Sequence, residues 1–196
     1  GVAHFLEHMA FKGTQRRTAR NIAEEIETVG GYLNAYTSRE HTAYYAKVLK
    51  EDIELAIDML ADILQFSVFD STELARERAV ILQEIGQSLD TPDDIVFDSF
   101  QSTAFPDQPL GWPVLGRSEV VNAMPRKQIM EYMQQTYSSD RMVLCAVGNV
   151  GHENVVNLAN TKFQNLSRSK HLALLERIWQ ILLMKLGFWQ RARKSM

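Results

Sequence analysis

Two histidines and a glutamate occur close together near the start of the chain, in the order His4, Glu7 and His8. On an α-helix with about 100° between successive residues, the histidines lie about 40° apart and Glu7 lies about 60° to the other side of His4. All three side chains can therefore face one metal ion. Two imidazoles four residues apart are typical zinc ligands, and a neighbouring carboxylate can act as general base on a water at the open position. The alternative is a surface helix with unrelated histidines.

A catalytic zinc site needs three protein ligands, so a third must come from elsewhere in the chain. The segment after Asp70 supplies Glu77 and Glu84, which are seven residues apart and share one face of a predicted helix. Glu84 is flanked by Ile81 and Ile85, where an unpaired carboxylate would be unfavourable and a metal ligand would be satisfied. We therefore predict Glu84 as the third ligand and Glu77 as an acid that orients an imidazole. For Glu77 the alternative is a solvated helix face.

Helical and extended patterns alternate along the chain and predict the elements that position these groups. Helices are expected at 19–29 behind Thr18, 51–66, 70–89, 125–137 and 149–163, with a hairpin formed by 32–37 and 42–49. Residues 90–116 hold four of the five prolines and lack a clear period, which predicts a long loop or a set of turns. The apolar run 141–147 predicts a buried strand with Cys145 in the core. The sum is an α+β fold with helices packed on a mostly antiparallel sheet.

The composition is that of a globular domain, with 196 residues of which 45% are hydrophobic and 23% charged. It excludes collagen-like and wholly disordered chains. A net charge of −3 argues against a nucleic-acid partner. The single cysteine excludes an internal disulfide and a cysteine-rich metal cluster. In the hydrophobic tail the longest uncharged apolar run is 178–184, far short of the ~20 residues of a spanning helix, so we expect no membrane span.

The motif segments resemble the pitrilysin or insulinase family of zinc metallopeptidases, whose inverted motif is H-x-x-E-H. The resemblance is closest to bacterial members similar to the β subunit of mitochondrial processing peptidase. It covers residues 1 to about 166 and rests on HFLEHM at 4–9, FKGT at 11–14, NAYTSREHT at 34–42, RER at 76–78, EI at 84–85, GWPVLG at 111–116, YSSDRMVL at 137–144 and VGNV at 147–150. It implies one zinc ion per chain on His4, His8 and Glu84. The catalytic residues that it implies are Glu7, as base, and Glu77, in support.

The same resemblance suggests where a substrate would bind, because the family holds substrate against an edge strand. A strand with free backbone donors and acceptors can bind an extended peptide whatever most of its side chains are. The implied substrate-binding residues are Asn34, Ala35 and Tyr36. Asn34 would add side-chain hydrogen bonds, and the small Ala35 would let the peptide approach the zinc. Apart from the resemblance, a plain hairpin with tyrosine packing is favoured.

Two classes of function follow from the family resemblance. The first is a zinc-dependent endopeptidase that hydrolyses peptides or presequences bound as an added β-strand, with Glu7 activating the water. The second is a non-catalytic scaffold or substrate-holding subunit of the same family, with this fragment inactive alone. The expected partners are an unfolded polypeptide substrate and a second homologous domain or subunit that closes a chamber. A bacterial cytoplasm or periplasm, or the mitochondrial matrix, is compatible with this assignment.

The two ends of the chain predict a fragment truncated at both ends. The chain begins at Gly1, without an initiating methionine and inside a helical pattern, so we expect an internal fragment without a leader. Residues 167–196 contain seven Lys or Arg and one Glu, which is a charge of +6, and two of the three tryptophans. We therefore predict a partial metallopeptidase catalytic domain over 1–166. The basic, apolar tail over 167–196 is interpreted as a fragment end or an artefact.

Overall fold

The computed structural model describes residues 1–168, so almost all of the basic tail lies outside the described residues. The described part folds as helices packed around one antiparallel two-stranded sheet, which confirms the predicted α+β class. In chain order the elements are α1 (Val2–Ala10), α2 (Ala19–Thr28), β1 (Tyr32–Thr37), β2 (Thr42–Lys47), α3 (Ile53–Phe66), α4 (Ser71–Leu89), α5 (Pro92–Ala104), α6 (Ser118–Ala123), α7 (Arg126–Thr136) and α8 (His152–Lys162). Short 3-10 turns occur at Lys50–Asp52 and Pro109–Gly111. Among these helices there is none whose length and apolarity would let it cross a bilayer.

Capping side chains start two of the helices at their predicted positions. The Thr18 hydroxyl accepts a hydrogen bond from the backbone N–H of Asn21 at 3.1 Å and begins α2. The Asp70 carboxylate accepts from the N–H groups of Thr72 and Glu73, at 2.8 and 3.0 Å, and begins α4. Gly30 follows α2 with a φ of +65°, a conformation that glycine adopts without strain.

Helix α1 lies between two clusters of buried apolar side chains. Phe5, Leu6 and Met9 enter the cluster formed with α4, α6 and α7. Ala10 enters the second cluster, which joins α2 and α3 and packs beneath the hairpin. Because α1 is buried on this side, its opposite face is left to carry His4, Glu7 and His8.

A cluster of charged residues joins the segment after α1 to helix α3. Asp62 is fully buried, and its carboxylate accepts from the guanidinium groups of Arg16 and Arg17 at 3.0 and 2.9 Å and from the Thr14 hydroxyl at 2.8 Å. Asp58, one turn earlier, accepts from the same two arginines. These bonds satisfy a buried charge and hold the chain that leaves the H-x-x-E-H helix against the core.

The predicted loop at 90–116 is wrong in part, since α5 occupies Pro92–Ala104. Pro92 stands at the start of this helix, where its missing N–H is not needed. Within the described part of the chain, none of the α5 residues is buried. A helix without a buried face does not need apolar residues at helical spacing, so the sequence pattern does not reveal it. Its apolar side chains, Ile95, Val96, Phe97 and Phe100, are exposed.

The predicted buried strand at 141–147 is also wrong within the described part of the chain. The segment has no ladder there, since the described sheet consists of β1 and β2 paired with each other. Val143 and Val147 are almost fully exposed, and Cys145 is exposed rather than a core residue. Apolar composition alone therefore misled the prediction, because a strand also needs a neighbour for its backbone hydrogen bonds.

The charged cluster predicts a loss of stability in acid. Burial opposes ionisation of Asp58, but hydrogen bonds from Arg17, Arg16 and Lys162 outweigh it and lower its pKa to about 2. An aspartate in an unfolded chain has a pKa near ~3.9, so the unfolded state takes up this proton first as the pH falls. We expect the contribution of Asp58 to the free energy of unfolding to be full above about pH 4 and to decline towards about pH 2.

Denaturant titrations across this pH range measure the effect. Asp58→Asn should be less stable than the parent at neutral pH and should lose less stability between about pH 4 and pH 2. The same substitution at exposed Asp107 is the matched control and should leave the profile unchanged. Equal acid slopes for the parent and Asp58→Asn would contradict the assignment.

Candidate metal centre

Helix α1 presents its two histidines to each other on its polar face. The Nε2 atoms of His4 and His8 lie 3.3 Å apart, with the rings in an edge-to-face arrangement. The helix has no side-chain N-cap, and its first turn is held by the loop before α6. The backbone nitrogen of Gly1 donates to the carbonyl of Val114 at 2.8 Å. Gly116 has a φ of +88°, and a Cβ there would come within 2.7 Å of the Gly1 Cα, so only glycine allows this approach.

Helix α4 places Glu84 opposite the two histidines. Ile81 and Ile85 are buried against α1, which brings Glu84 to the edge of the same contact. The Glu84 Oε2 atom lies 3.6 Å from His4 Nε2 and 3.5 Å from His8 Nε2. The structure thus brings together the three residues predicted as ligands.

The dimensions of this triangle fit a zinc ion. Its sides are 3.3, 3.5 and 3.6 Å. Tetrahedral ligands with bonds of about 2.0–2.1 Å are separated by about 3.3–3.4 Å. Glu84 Oε2 is buried and has no hydrogen-bond partner among the described residues, which is an unfavourable state for an isolated carboxylate oxygen. Two imidazoles and one carboxylate also form a donor set that zinc favours, so the residues present fit this metal.

Glu77 fixes the orientation of the His8 ring from behind. Its Oε2 atom accepts from His8 Nδ1 at 2.9 Å, and its Oε1 atom accepts from Lys12 Nζ at 2.7 Å. Because a carboxylate can only accept, Nδ1 of His8 carries a proton, and Nε2 is the ring nitrogen directed at the triangle. Burial opposes ionisation of Glu77, but the hydrogen bonds from Lys12 and His8 outweigh it, so its pKa is lowered.

His4 lies in an environment that favours the neutral imidazole. Burial, with smaller contributions from the charges of His8 and the Gly1 amine, lowers the pKa of His4 to about 4. A neutral ring is the form that binds a metal. Unlike His8, His4 has no orienting carboxylate, since its Nδ1 is buried without a hydrogen-bond partner among the described residues.

Glu7 lies beside the triangle and is held by the hairpin. The Thr37 hydroxyl, at the end of β1, donates to Glu7 Oε2 at 2.5 Å and lies 3.2 Å from the Thr42 hydroxyl on β2. Sequence reasoning missed Thr37, although the two-residue period of a strand places it on the same face as the predicted Ala35. It also assigned no role to Lys12, because nothing in the sequence shows that the chain turns back towards Glu77.

The predicted substrate-binding residues lie on β1, outside the triangle. The N–H of Ser38 donates to the carbonyl of His41 at 2.8 Å, and in this register Asn34 and Tyr36 also bond to β2. The N–H and C=O of Ala35 therefore face away from β2, towards the other edge of the strand. The Ala35 N–H bonds to the Asn34 side chain at 2.8 Å, and Tyr36 is half exposed.

An H-x-x-E-H helix that faces a glutamate on a second helix is the arrangement of an inverted-motif zinc metallopeptidase. Comparison with known proteins agrees, and the chain belongs to the insulinase family, peptidase family M16. Residues 1–118 match the model described as "Insulinase (Peptidase family M16)", and residues 123–187 match "Peptidase M16 inactive domain". The predicted family is therefore confirmed. The second match runs past residue 166, and the predicted boundary there stays a prediction.

Individual relatives are bacterial and mitochondrial. The chain is 45% identical over 170 residues to an "Uncharacterized zinc protease" of Rickettsia felis, covering 87% of this chain and 41% of that protein. It is 46% identical over 170 residues to the mitochondrial-processing peptidase subunit β of Saccharomyces cerevisiae, covering 87% and 37%. A crystal structure of a protease from Helicobacter pylori superposes with a TM-score of 0.82 at 25% identity, covering 88% and 42%. The chain thus spans about two fifths of the length of these relatives.

The triangle predicts zinc binding that depends on each of its corners. His8→Ala and Glu84→Ala should each lower the zinc affinity by more than the ~10–100-fold that is typical when only the hydrogen-bond partner of a ligand is lost. Metal content after dialysis against a weak chelator measures this, and the parent should retain about one equivalent. His152→Ala, at an exposed position on α8, is the control and should bind like the parent. Full zinc retention by His8→Ala would place the metal elsewhere.

Proposed function

We propose that this chain carries the catalytic centre of a zinc endopeptidase that hydrolyses peptides or presequences bound as an added β-strand. The observation that supports this most directly is the triangle of His4, His8 and Glu84, whose buried carboxylate oxygen has no hydrogen-bond partner within residues 1–168. These three residues would hold one zinc ion per chain. When bound, zinc would polarise the scissile carbonyl and lower the pKa of a water molecule in the site.

Glu7 is the proposed general base. Its carboxylate would accept a proton from the attacking water and return it to the leaving amine. The bond from Thr37 occupies Oε2 and restricts the carboxylate to one orientation, which leaves Oε1 for the water. Glu77 acts at a distance from the reacting atoms, through the ring of His8.

The edge of β1 that no strand of the described residues pairs with is the proposed binding surface for the peptide, although Ala35 itself is buried there. Ala35 offers one N–H and one C=O there, as an added antiparallel strand requires. Asn34 already bonds to the Ala35 N–H, so its side chain would have to turn and could then bond to the peptide instead. Thr37 is two residues further along β1 and touches Glu7, so the same strand connects the peptide edge with the base.

A second homologous domain or subunit is the proposed partner. The chain spans only about two fifths of its relatives, and several of those are named as one subunit of a processing peptidase. Their sources are compatible with a bacterial compartment or the mitochondrial matrix. A non-catalytic, substrate-holding role is the second candidate, because residues 123–187 match a domain described as inactive. The complete set of metal-binding and base residues in α1 and α4 favours the enzyme.

Replacement of the proposed base separates catalysis from metal binding. Glu7→Gln should retain zinc but lower the rate of peptide hydrolysis by ~10²–10⁴, because the amide fills the same space but cannot accept the proton. The assay uses a quenched-fluorescent peptide and a chimera in which residues 1–166 replace the matching segment of the Rickettsia felis relative. Glu27→Gln, at an exposed position on α2, is the matched control. Hydrolysis by Glu7→Gln at the unsubstituted rate would exclude Glu7 as the base.

Because a second domain or subunit is proposed to complete the site, we expect this chain alone to be a poor peptidase even when it is loaded with zinc. A strand edge and a metal ion can bind and polarise a peptide, but correct orientation of the reacting groups contributes up to ~7–11 kcal/mol in well-ordered sites. The chain and the chimera should therefore differ in turnover by several orders of magnitude at equal zinc occupancy. Comparable turnover would show that the second domain is dispensable for catalysis.

A further inference from the structure

The carboxylate of Glu77 is held on both of its oxygen atoms. Oε2 accepts from His8 Nδ1 at 2.9 Å, and Oε1 accepts from the Lys12 ammonium at 2.7 Å. Glu77 is buried, with an exposed fraction of 7%, whereas the Lys12 side chain keeps 30% of its surface in solvent. Lys12 follows α1 directly and reaches from the end of that helix across to α4.

We propose that Lys12 is a positioning residue of the metal centre, which acts on His8 through Glu77. By binding Oε1, the ammonium group fixes the plane of the carboxylate so that Oε2 receives the Nδ1–H of His8. The ring of His8 is then held with Nε2 directed at Glu84 and His4. This inference rests on the proposed zinc site, since its consequence is metal affinity.

The surroundings of Glu77 show why this task falls to Lys12. Among the described residues, two side chains contact the Glu77 carboxylate: the His8 ring and the cationic Lys12. The neighbouring arginines on α4 bond elsewhere: Arg76 pairs with Glu73, and Arg78 donates to the backbone carbonyls of residues 121, 122 and 124. A buried carboxylate that lost Lys12 would keep one bonded oxygen and could rotate about its side-chain torsions.

The two histidines differ in how their rings are held, and this difference makes the contacts from Lys12 through Glu77 to His8 more important. His4 Nδ1 lacks a hydrogen-bond partner among the described residues, so that ring is not held from its Nδ1 side by a polar group of this part of the chain. His8 is the histidine with a carboxylate behind it, and that carboxylate is the one that Lys12 holds. Groups that orient a metal-binding histidine typically change metal affinity by ~10–100-fold when they are removed.

Zinc affinity of the chain itself tests the proposal, by competition with a fluorescent zinc chelator. Lys12→Met keeps the length and apolar stem of the side chain but removes the ammonium, and should weaken zinc binding about tenfold. Lys12→Arg keeps a cationic donor and should recover most of that loss. Lys127→Met, at an exposed position on α7, is the matched control and should bind like the parent. Circular dichroism and thermal unfolding of the zinc-free proteins establish that each variant is folded.

A double-mutant cycle with Glu77→Gln distinguishes positioning from a general structural role. If Lys12 acts through Glu77, Lys12→Met should have little further effect on zinc affinity once Glu77 is replaced. The proposal is overturned if folded Lys12→Met binds zinc within twofold of the parent. It is also overturned if Lys12→Arg loses as much affinity as Lys12→Met, or if the losses at positions 12 and 77 simply multiply. Failure of the parent to bind zinc would instead overturn the proposed function.

Discussion

The packing of α1 against α4 is the constraint on which the rest of the site depends. It brings two imidazole nitrogens and one carboxylate oxygen within 3.6 Å of each other, a convergence of electron-rich atoms that is unfavourable unless a cation binds. Apolar burial holds this contact, since Phe5 and Met9 of α1 and Ile81 of α4 are fully buried in one cluster. Each such side chain contributes roughly 1.5–3 kcal/mol. The hydrophobic contact thus provides the free energy that keeps the polar atoms together.

Two separate hydrogen-bond chains then orient the groups that this packing brings close. One runs from Lys12 through Glu77 to His8 and concerns a proposed metal ligand. The other joins Thr37 of the hairpin to Glu7 and concerns the proposed base. They involve different elements, α4 with the segment after α1 in one case and the hairpin in the other, so a change in one element need not disturb the other. This separation explains why ligand and base roles can be tested independently.

The described chain combines the proposed metal centre with apolar side chains that are exposed to solvent. The proposed ligand, base and supporting residues lie on α1, α4, β1 and the segment after α1. By contrast, α5 exposes Phe97 and Phe100, and the apolar run near Val143 is exposed as well. Such surfaces are consistent with the second domain or subunit proposed above, because large apolar patches on soluble proteins usually lie in contacts.

The sequence by itself determined several helix starts and the candidate metal-binding residues, because these features depend on local chemistry. The spacing of His4, Glu7 and His8 places them on one helix face, Thr18 and Asp70 begin helices, and the burial cost of a lone carboxylate singles out Glu84. The division at residue 166 and the assignment of the tail stay predictions. Short-range rules suffice for these features because each depends on residues within one or two turns.

Only the tertiary structure decided the contacts between distant segments. It closed the 3.3–3.6 Å triangle, placed Thr37 on Glu7 and brought Lys12 to Glu77. The same dependence on distant contacts explains the two wrong predictions, at 90–116 and at 141–147. The helix α5 has no buried face to give it a period, and the run at 141–147 has no neighbouring strand among the described residues. The pattern of apolar residues shows which structure a segment can form when another element packs against it. Whether such an element lies next to the segment depends on the folded chain.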